Sequence, residues 1–304
     1  IAAAVKESGI LFAVCHVLRY TDYTRRLKAI LDEGRIGRIV SIQHLEPVGY
    51  WHQAHSFVRG NWRNESESSF MLLAKSCHDL DWLRHVMGLP MRRVSSFGSL
   101  MHFRRDCRPA GAADRCLDCG VEAQCPYSAK RIYLERFHAG HTGWPLDVIT
   151  SDLTEAGVLA ALRDGPYGRC VYDCDNDVVD HQVVNIEFDD GPTATFTMTA
   201  FTEMSDRKTR IFGTRGRIEG DGRTLRVLDF LTDHEETIDT RAPAGSILGG
   251  HGGGDYRLMQ GFVAAVGEQD PAKILSGPAE TLESHLAVFA AERARREGRV
   301  VEIV

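Results

Sequence analysis

The run AKSCHDLDWLRHVMG, Ala74 to Gly88, brings a cation, a thiol, imidazoles and carboxylates into one short stretch. If that stretch is helical, Lys75, His78 and either Asp79 or Asp81 fall three or four residues apart and share a face. An acid–base imidazole, a cation and an orienting carboxylate could then converge, which is the equipment for moving a substrate proton. The plain alternative is a histidine held by a neighbouring aspartate on an ordinary amphipathic helix.

A second concentration is HLEPVGYWHQAHSFVRGNWRN, which places His44, His52, His55, Arg59, Trp62 and Arg63 between a strand and a helix. Loops on a rigid scaffold carry ligand contacts, and Arg with Trp and His suits a small carboxylated or hydroxylated molecule. His55, Arg59 and Trp62 are the candidate substrate contacts, against the alternative of a solvated loop with incidental histidines. NDVVDHQVVN adds His181 at the entry to a strand-rich region, and HGGGD adds His251 and Asp255 before a helix. Glycines there permit close backbone approach, and a helix N-terminus can receive an oxygen ligand, although Asp255 could simply be the cap.

Cys107, Cys116, Cys119 and Cys125 follow the spacing C-x8-C-x2-C-x5-C. Four thiolates in reach of one another can hold a tetrahedral ion, so a closed, structural zinc site is expected on these four. Free thiols, disulfides or an iron–sulfur cluster are the alternatives.

The elements that must position these groups read as follows. Ile10 to Val17 is a continuous apolar run of strand length, as in a strand buried on both faces of a parallel sheet. Thr21 can cap a helix carrying Leu27, Ile30 and Leu31 that Gly34 closes. A strand from Arg38, a helix over 67–87 closed by Gly88 and a strand over 92–103 come next. From His181 to Ile238, short strands alternate with the turn signals DDG, TRG and DGR. Two helices, near 256–266 and 279–295, and a last strand over 300–304 complete the order, with Leu282, Leu286 and Phe289 on one face of the second helix.

The expected class is α+β: a mainly antiparallel open sheet with helices packed on one face, preceded by the last βα remnant of a Rossmann domain. Residues 1–20 are the remnant, and 21–304 a substrate-binding and oligomerisation domain with a Cys-rich insertion at 105–127. Because the first residue is Ile1 and its helix lacks a capping residue, an upstream segment is expected.

With 304 residues, 43% hydrophobic content and a net charge of −6, the chain can bury a large core and has no general attraction to nucleic acid or anionic membrane. No apolar run reaches the roughly 18 residues of a membrane span, and no signal peptide opens the chain, so a cytoplasmic location is expected.

AVCHVLRY, GRIGRIVSI, KSCHDLDWL, HGGGD and SHLAVFAAERARREGRVVEI occur in the order seen in the Gfo/Idh/MocA oxidoreductases, which this chain resembles over nearly its whole length. The resemblance implies an N-terminal Rossmann domain with a Gly-rich loop and an EKP motif whose lysine is catalytic. Neither GxGxxG after a strand nor EKP is present in residues 1–304, so the chain alone is not expected to be a competent enzyme. The family's D-x3-H-x2-D pattern puts its histidine on His78 and its second aspartate on Asp81, while its first aspartate falls on Ala74, beside Lys75. The resemblance makes AVCHVLRY the last Rossmann strand, with His16, Arg19 and Tyr20 at its carboxyl end as cofactor contacts and Arg19 also facing substrate.

What it implies in sum is the substrate domain of an oxidoreductase using NAD or NADP on a sugar, cyclitol or related polyhydroxy compound, assembled as a homo-oligomer through the sheet face. HGGGD also resembles the subgroup that cleaves glycosides by transient oxidation. Ala74 and the missing cofactor motifs equally suit a non-catalytic sensor or scaffold of the same fold, and the cysteines suit a zinc-stabilised interaction module.

Overall fold

The computed structural model describes residues 1–240 and 250–303, the side chain of His251 apart. Helix α1 (Ala2–Ser8) is followed by α2 (Asp22–Asp32), β1 (Ile39–Pro47), α3 (Tyr50–His52), α4 (Met71–Ala74), α5 (Cys77–Met87) and β2 (Met91–Ser99). An excursion with α6 (Glu135–His138), α7 (Leu146–Ile149) and α8 (Glu155–Asp164) leads into β3 (His181–Phe188) and β4 (Thr193–Thr199). Then come β5 (Lys208–Gly213), β6 (Gly216–Gly220), β7 (Thr224–Asp229), β8 (Glu235–Asp239), α9 (Gly254–Glu268), α10 (Pro278–Glu297) and β9 (Val301–Glu302).

The strands form one sheet in the order β8-β7-β6-β5-β1-β4-β3-β2-β9, antiparallel throughout except where β1 runs parallel to β4. Alternation decides which face is covered: Ile42, Val184, Phe196, Ile211 and Ile218 point to one side, where Leu27 and Ile30 of α2, Leu80 and Leu83 of α5, and Val288 and Ala291 of α10 bury them. The expected α+β class, with helices on one face of a mainly antiparallel sheet, is the architecture observed. The buried alanines of α10, Ala287, Ala291 and Ala294, leave little side chain between that helix and β2.

Local signals acted as expected at several ends. Thr21 Oγ1 accepts from the Thr24 backbone N–H and starts α2, and Gly88 closes α5 at φ 74°. The expected helix over 67–87 starts only at Met71, after a turn in which Asn64 Oδ1 accepts from the backbone N–H and hydroxyl of Ser66, and it is divided where the backbone leaves the helical path at Lys75–Ser76. β2 stops at Ser99, where the Asp180 carboxylate accepts from the backbone N–H groups of Met101 and His102 instead.

The strand expected over Ile10–Val17 is not formed. A strand buried on both faces needs neighbours on both edges, and none lies there among the described residues. Ile10 is exposed, Val14 exchanges hydrogen bonds with Ser276 ahead of α10, and Val17–Tyr20 winds into a 3-10 turn. Leu282, Leu286 and Phe289 do share a face of α10, but it is the exposed one.

A second core joins the 50–59 segment to the excursion through Val58, Phe103, Tyr127, Ile132, Tyr133, Leu162, Tyr167 and Tyr172. The Cys-rich segment is thus built into a larger packed unit. No helix among the described residues is long and apolar enough to cross a membrane.

Candidate active site

The N-terminal half of α5 carries His78, Asp79 and Asp81, and the helix geometry sends the two carboxylates into different networks. Asp81 is fully buried and is gripped by Arg19, whose Nε and Nη2 donate to its two oxygens at 2.7 Å each; Ser284 Oγ donates a third bond at 3.1 Å. The remaining Arg19 nitrogen, Nη1, donates to the Leu275 carbonyl. Tyr20 is likewise engaged, its hydroxyl accepting from the Leu275 and Ser276 backbone N–H groups. These two expected cofactor contacts therefore tie the 3-10 turn to the loop before α10, with their polar groups already partnered.

His16, from the segment preceding that turn, lies between the two ends of this arrangement. Its Nδ1 is 3.3 Å from Nδ1 of His78, and its Nε2 faces Asp81 Oδ1 at 3.7 Å. The ring also stands 5.5 Å from that of His285 on α10. Burial holds His16 down to about 4, with Asp81 acting against it, and burial likewise lowers His78. Both shifts favour the neutral imidazole.

Asp79 belongs to a second buried network that the sequence reading did not assemble. It accepts from Arg207 Nε at 2.8 Å and pairs with His44 Nε2 at 3.1 Å, while His44 Nδ1 meets Thr209 Oγ1 at 2.7 Å. Arg207 also reaches Glu46 at 2.9 Å, and Lys75 Nζ stands 3.2 Å from the other Glu46 oxygen. Two cations thus face two carboxylates. Burial pushes the Asp79 carboxyl up, but Arg207 and His44 more than offset it and hold it well below the usual range. Glu46 stays raised by burial and by the neighbouring Asp79 charge. The set is assembled across the antiparallel register of β1 and β5, which puts His44 opposite Thr209 and Leu45 opposite Lys208.

Lys75, His78 and Asp81 do not form one triad, as the sequence reading expected. Lys75 sits at the break before α5 and pairs with Glu46, and His16 intervenes between His78 and Asp81. At Ala74, the last residue of α4, no carboxylate is offered.

Beyond Lys75 the surroundings become aromatic. His52, lowered to about 3 by burial and by Lys75, has its ring 5.1 Å from Trp144, which is 46% exposed and packs 5.2 Å from Trp51. Arg136 lies over the Trp51 ring at 4.1 Å. His55 is buried, bonded to Tyr133 at 2.8 Å and stacked on Tyr167. Arg59 is equally buried, donating to the carbonyls of Arg169 and Tyr127. Trp62 is half exposed, and His181 Nδ1 pairs with the buried Asp180. Asp255 opens α9 as an exposed residue of its first turn, and the side chain of His251 lies outside the described residues.

The zinc expectation is corrected. Among the described residues no three Cys, His, Asp or Glu side chains converge as a metal site. Cys107, Cys116, Cys119 and Cys125 are all free; Cys107 Sγ is directed at the Met101 carbonyl, and Cys116 Sγ lies against Arg59 and the Arg169 carbonyl.

Residues 28–303 match the oxidoreductase family's C-terminal alpha/beta domain. A Bacillus subtilis (strain 168) protein named as an oxidoreductase, YteT, is 25% identical over 275 residues, 85% of this chain and 61% of its own length. An Escherichia coli (strain K12) 2,7-anhydro-N-acetylneuraminate hydratase is 28% identical over 100 residues, 33% of this chain and 26% of its own. Among solved structures, levoglucosan dehydrogenase in complex with NADH and levoglucosan superposes with a TM-score of 0.65 at 17% identity, covering 99% of this chain and 69% of that one. An Agrobacterium radiobacter oxidoreductase in complex with NAD+, L-tartaric acid and magnesium gives 0.64 at 14% identity, over 99% and 69%. At such identities the structural likeness carries the fold, and the match over 28–303 carries the membership: the chain belongs to the Gfo/Idh/MocA oxidoreductase family.

Proposed function

We propose that this chain supplies the substrate-binding and assembly half of an oxidoreductase that uses NAD or NADP on a sugar, cyclitol or related polyhydroxy compound. The observation that carries the reading is the His78–His16–Asp81 cluster, a neutral imidazole held in place at the start of α5 by a buried ion pair. A neutral imidazole can take a hydroxyl proton as a carbinol is oxidised, a contribution of about 10²–10⁴-fold in rate. The half-exposed Trp144 beside His52 and Trp51 suits the apolar face of a sugar ring, with Lys75 nearby for its hydroxyls.

The described residues do not fit a whole dinucleotide: no strand, Gly-rich turn and helix cradle a pyrophosphate, and the Arg19 guanidinium and the Tyr20 hydroxyl are engaged internally. The cofactor, when bound to a nucleotide-binding half, would supply the hydride acceptor. Two apolar helix faces adjoin the cluster and suit such a half: Met259, Val263 and Val266 on α9, and Leu282, Leu286 and Phe289 on α10. Helix α9 packs on the turn that follows His16, and α10 carries Ser284 and His285. The levoglucosan dehydrogenase structure, with NADH and its sugar bound, supports the substrate class.

For assembly, the uncovered sheet face holds a broad depression of about 760 Å³ lined by Gln43, Leu45, Thr195, Thr197, Arg210 and Arg226, and we place the homo-oligomer contact there.

Ala74 favours a second reading, a sensor of the same fold that binds without turnover. One experiment separates them. With the chain joined to its nucleotide-binding half, NAD and NADP are offered with a panel of anhydrosugars, inositols and hydroxy acids. Reduction of either cofactor, lowered about 10²-fold or more in His78→Gln, is expected. Ligand binding with no reduction by any compound would establish the sensor reading instead.

A further inference from the structure

We propose that His16 sets the tautomer of His78, accepting its Nδ1–H so that Nε2 of His78 stands bare to take the substrate's hydroxyl proton. The inference deepens the oxidoreductase reading above and rests on it only for the proton's destination.

The argument runs through proton positions. Two neutral imidazole nitrogens 3.3 Å apart cannot both carry hydrogen, nor can both present lone pairs, so one donates to the other. The far side of His16 decides which. Its Nε2 is buried, has no hydrogen-bond partner among the described residues, and faces the Asp81 carboxylate at 3.7 Å. A lone pair aimed at a buried carboxylate is repelled, whereas an N–H is attracted. The single proton of neutral His16 therefore sits on Nε2, its Nδ1 is the acceptor, and His78 donates from Nδ1.

Asp81 cannot escape this role by turning, because Arg19 holds both its oxygens and Ser284 bonds one of them. His285 does not compete. Its Nδ1 donates to the Thr281 carbonyl at 2.8 Å, which turns that proton into its own helix. The other charges near His78 are Asp79, Arg207 and Lys75, and each is paired within the second network. Asp81 thus orients His78 through an intervening ring, which makes His16 a positioning residue.

Nitrogen-15 spectra of histidine-labelled protein read the tautomer directly, with His78→Gln providing the assignment. About two pH units above the ordinary histidine value of ~6.5, His78 should show a protonated Nδ1 and a bare Nε2, and His16 the reverse. A His78 that carries its proton on Nε2 in the unaltered protein would overturn the proposal without any variant. His16→Phe removes the acceptor and should shift His78 toward the Nε2–H form. His16→Asn places an amide oxygen near the lost Nδ1 and should restore the pattern. An unchanged His78 spectrum in a folded His16→Phe protein would also overturn it.

In the protein joined to its nucleotide-binding half, His16→Phe should lower kcat about tenfold or more with KM little changed, and His16→Asn should recover most of it. If the spectra are as expected but His78→Gln turns over normally, the acid–base reading fails while the tautomer assignment stands.

Discussion

Arg19 holds Asp81 through two parallel hydrogen bonds of 2.7 Å, although the residues lie 62 positions apart and neither side chain is more than 3% exposed. The pair joins the turn after His16 to α5, and through Ser284 to α10. It holds in place the carboxylate that His16 faces.

Removing one member leaves a buried charge alone. Arg19→Met or Asp81→Leu should each destabilise the chain by about 3–5 kcal/mol, and the double variant by clearly less than their sum. Urea unfolding of the four proteins measures this; additive losses would show that the two side chains do not act as a pair.

Acid should weaken the fold well before the carboxylates titrate. Burial lowers His16, His55 and His85 to about 4 and His52 to about 3. The unfolded chain takes up those protons near ~6.5, so between that value and about 4 it binds more protons than the folded chain, and stability falls with pH. Each such histidine adds a slope of at most about 1.4 kcal/mol per pH unit. Asp79 acts lower down: its stabilisation is complete above the unfolded value of ~3.9 and is lost as pH falls below it. Urea midpoints followed from neutral pH downward should fall steadily, and less steeply in His55→Phe. A midpoint unchanged between pH 7 and 5 would mean that these imidazoles are not buried neutral.

Leu286 and Phe289 are 37% and 50% exposed on α10. Leu286→Ser with Phe289→Ser should cost this chain only about 1–2 kcal/mol in all, mostly from the Phe289–Phe70 ring contact. If a nucleotide-binding half docks on this face as proposed, the same pair should weaken that association, measured by calorimetry. Unaltered affinity would remove this face from the contact.

On the open sheet face, Arg226 pairs with Glu219 and Glu235. If copies of the chain associate there, Arg226→Glu introduces like-charge repulsion and should lower the sedimentation-derived mass by one association step, with no change in secondary structure. A mass identical to that of the parent protein would exclude this face.

Several features are legible in the sequence because they depend on neighbours along the chain. Thr21 caps α2 through an N–H three residues on, Gly88 accepts a left-handed φ at the end of α5, and Gly191 and Gly222 do the same in the DDG and DGR turns. The turn signals DDG, TRG and DGR separated the short strands from β3 onward. The resemblance found His78 and Asp81 but linked them directly, because helix spacing puts them on one face.

Sequence alone therefore determined the α+β class, the helix boundaries that depend on capping, and which imidazole and carboxylate to offer as candidates. Tertiary structure decided their connections. It placed His16 between His78 and Asp81, drew Lys75 to Glu46, brought Arg207 to Asp79, and turned the apolar run Ile10–Val17 away from a strand. The physical reason is common to all four: a buried charge, ring or apolar backbone segment takes whichever partner packing delivers from distant parts of the chain, and local spacing carries no record of that partner.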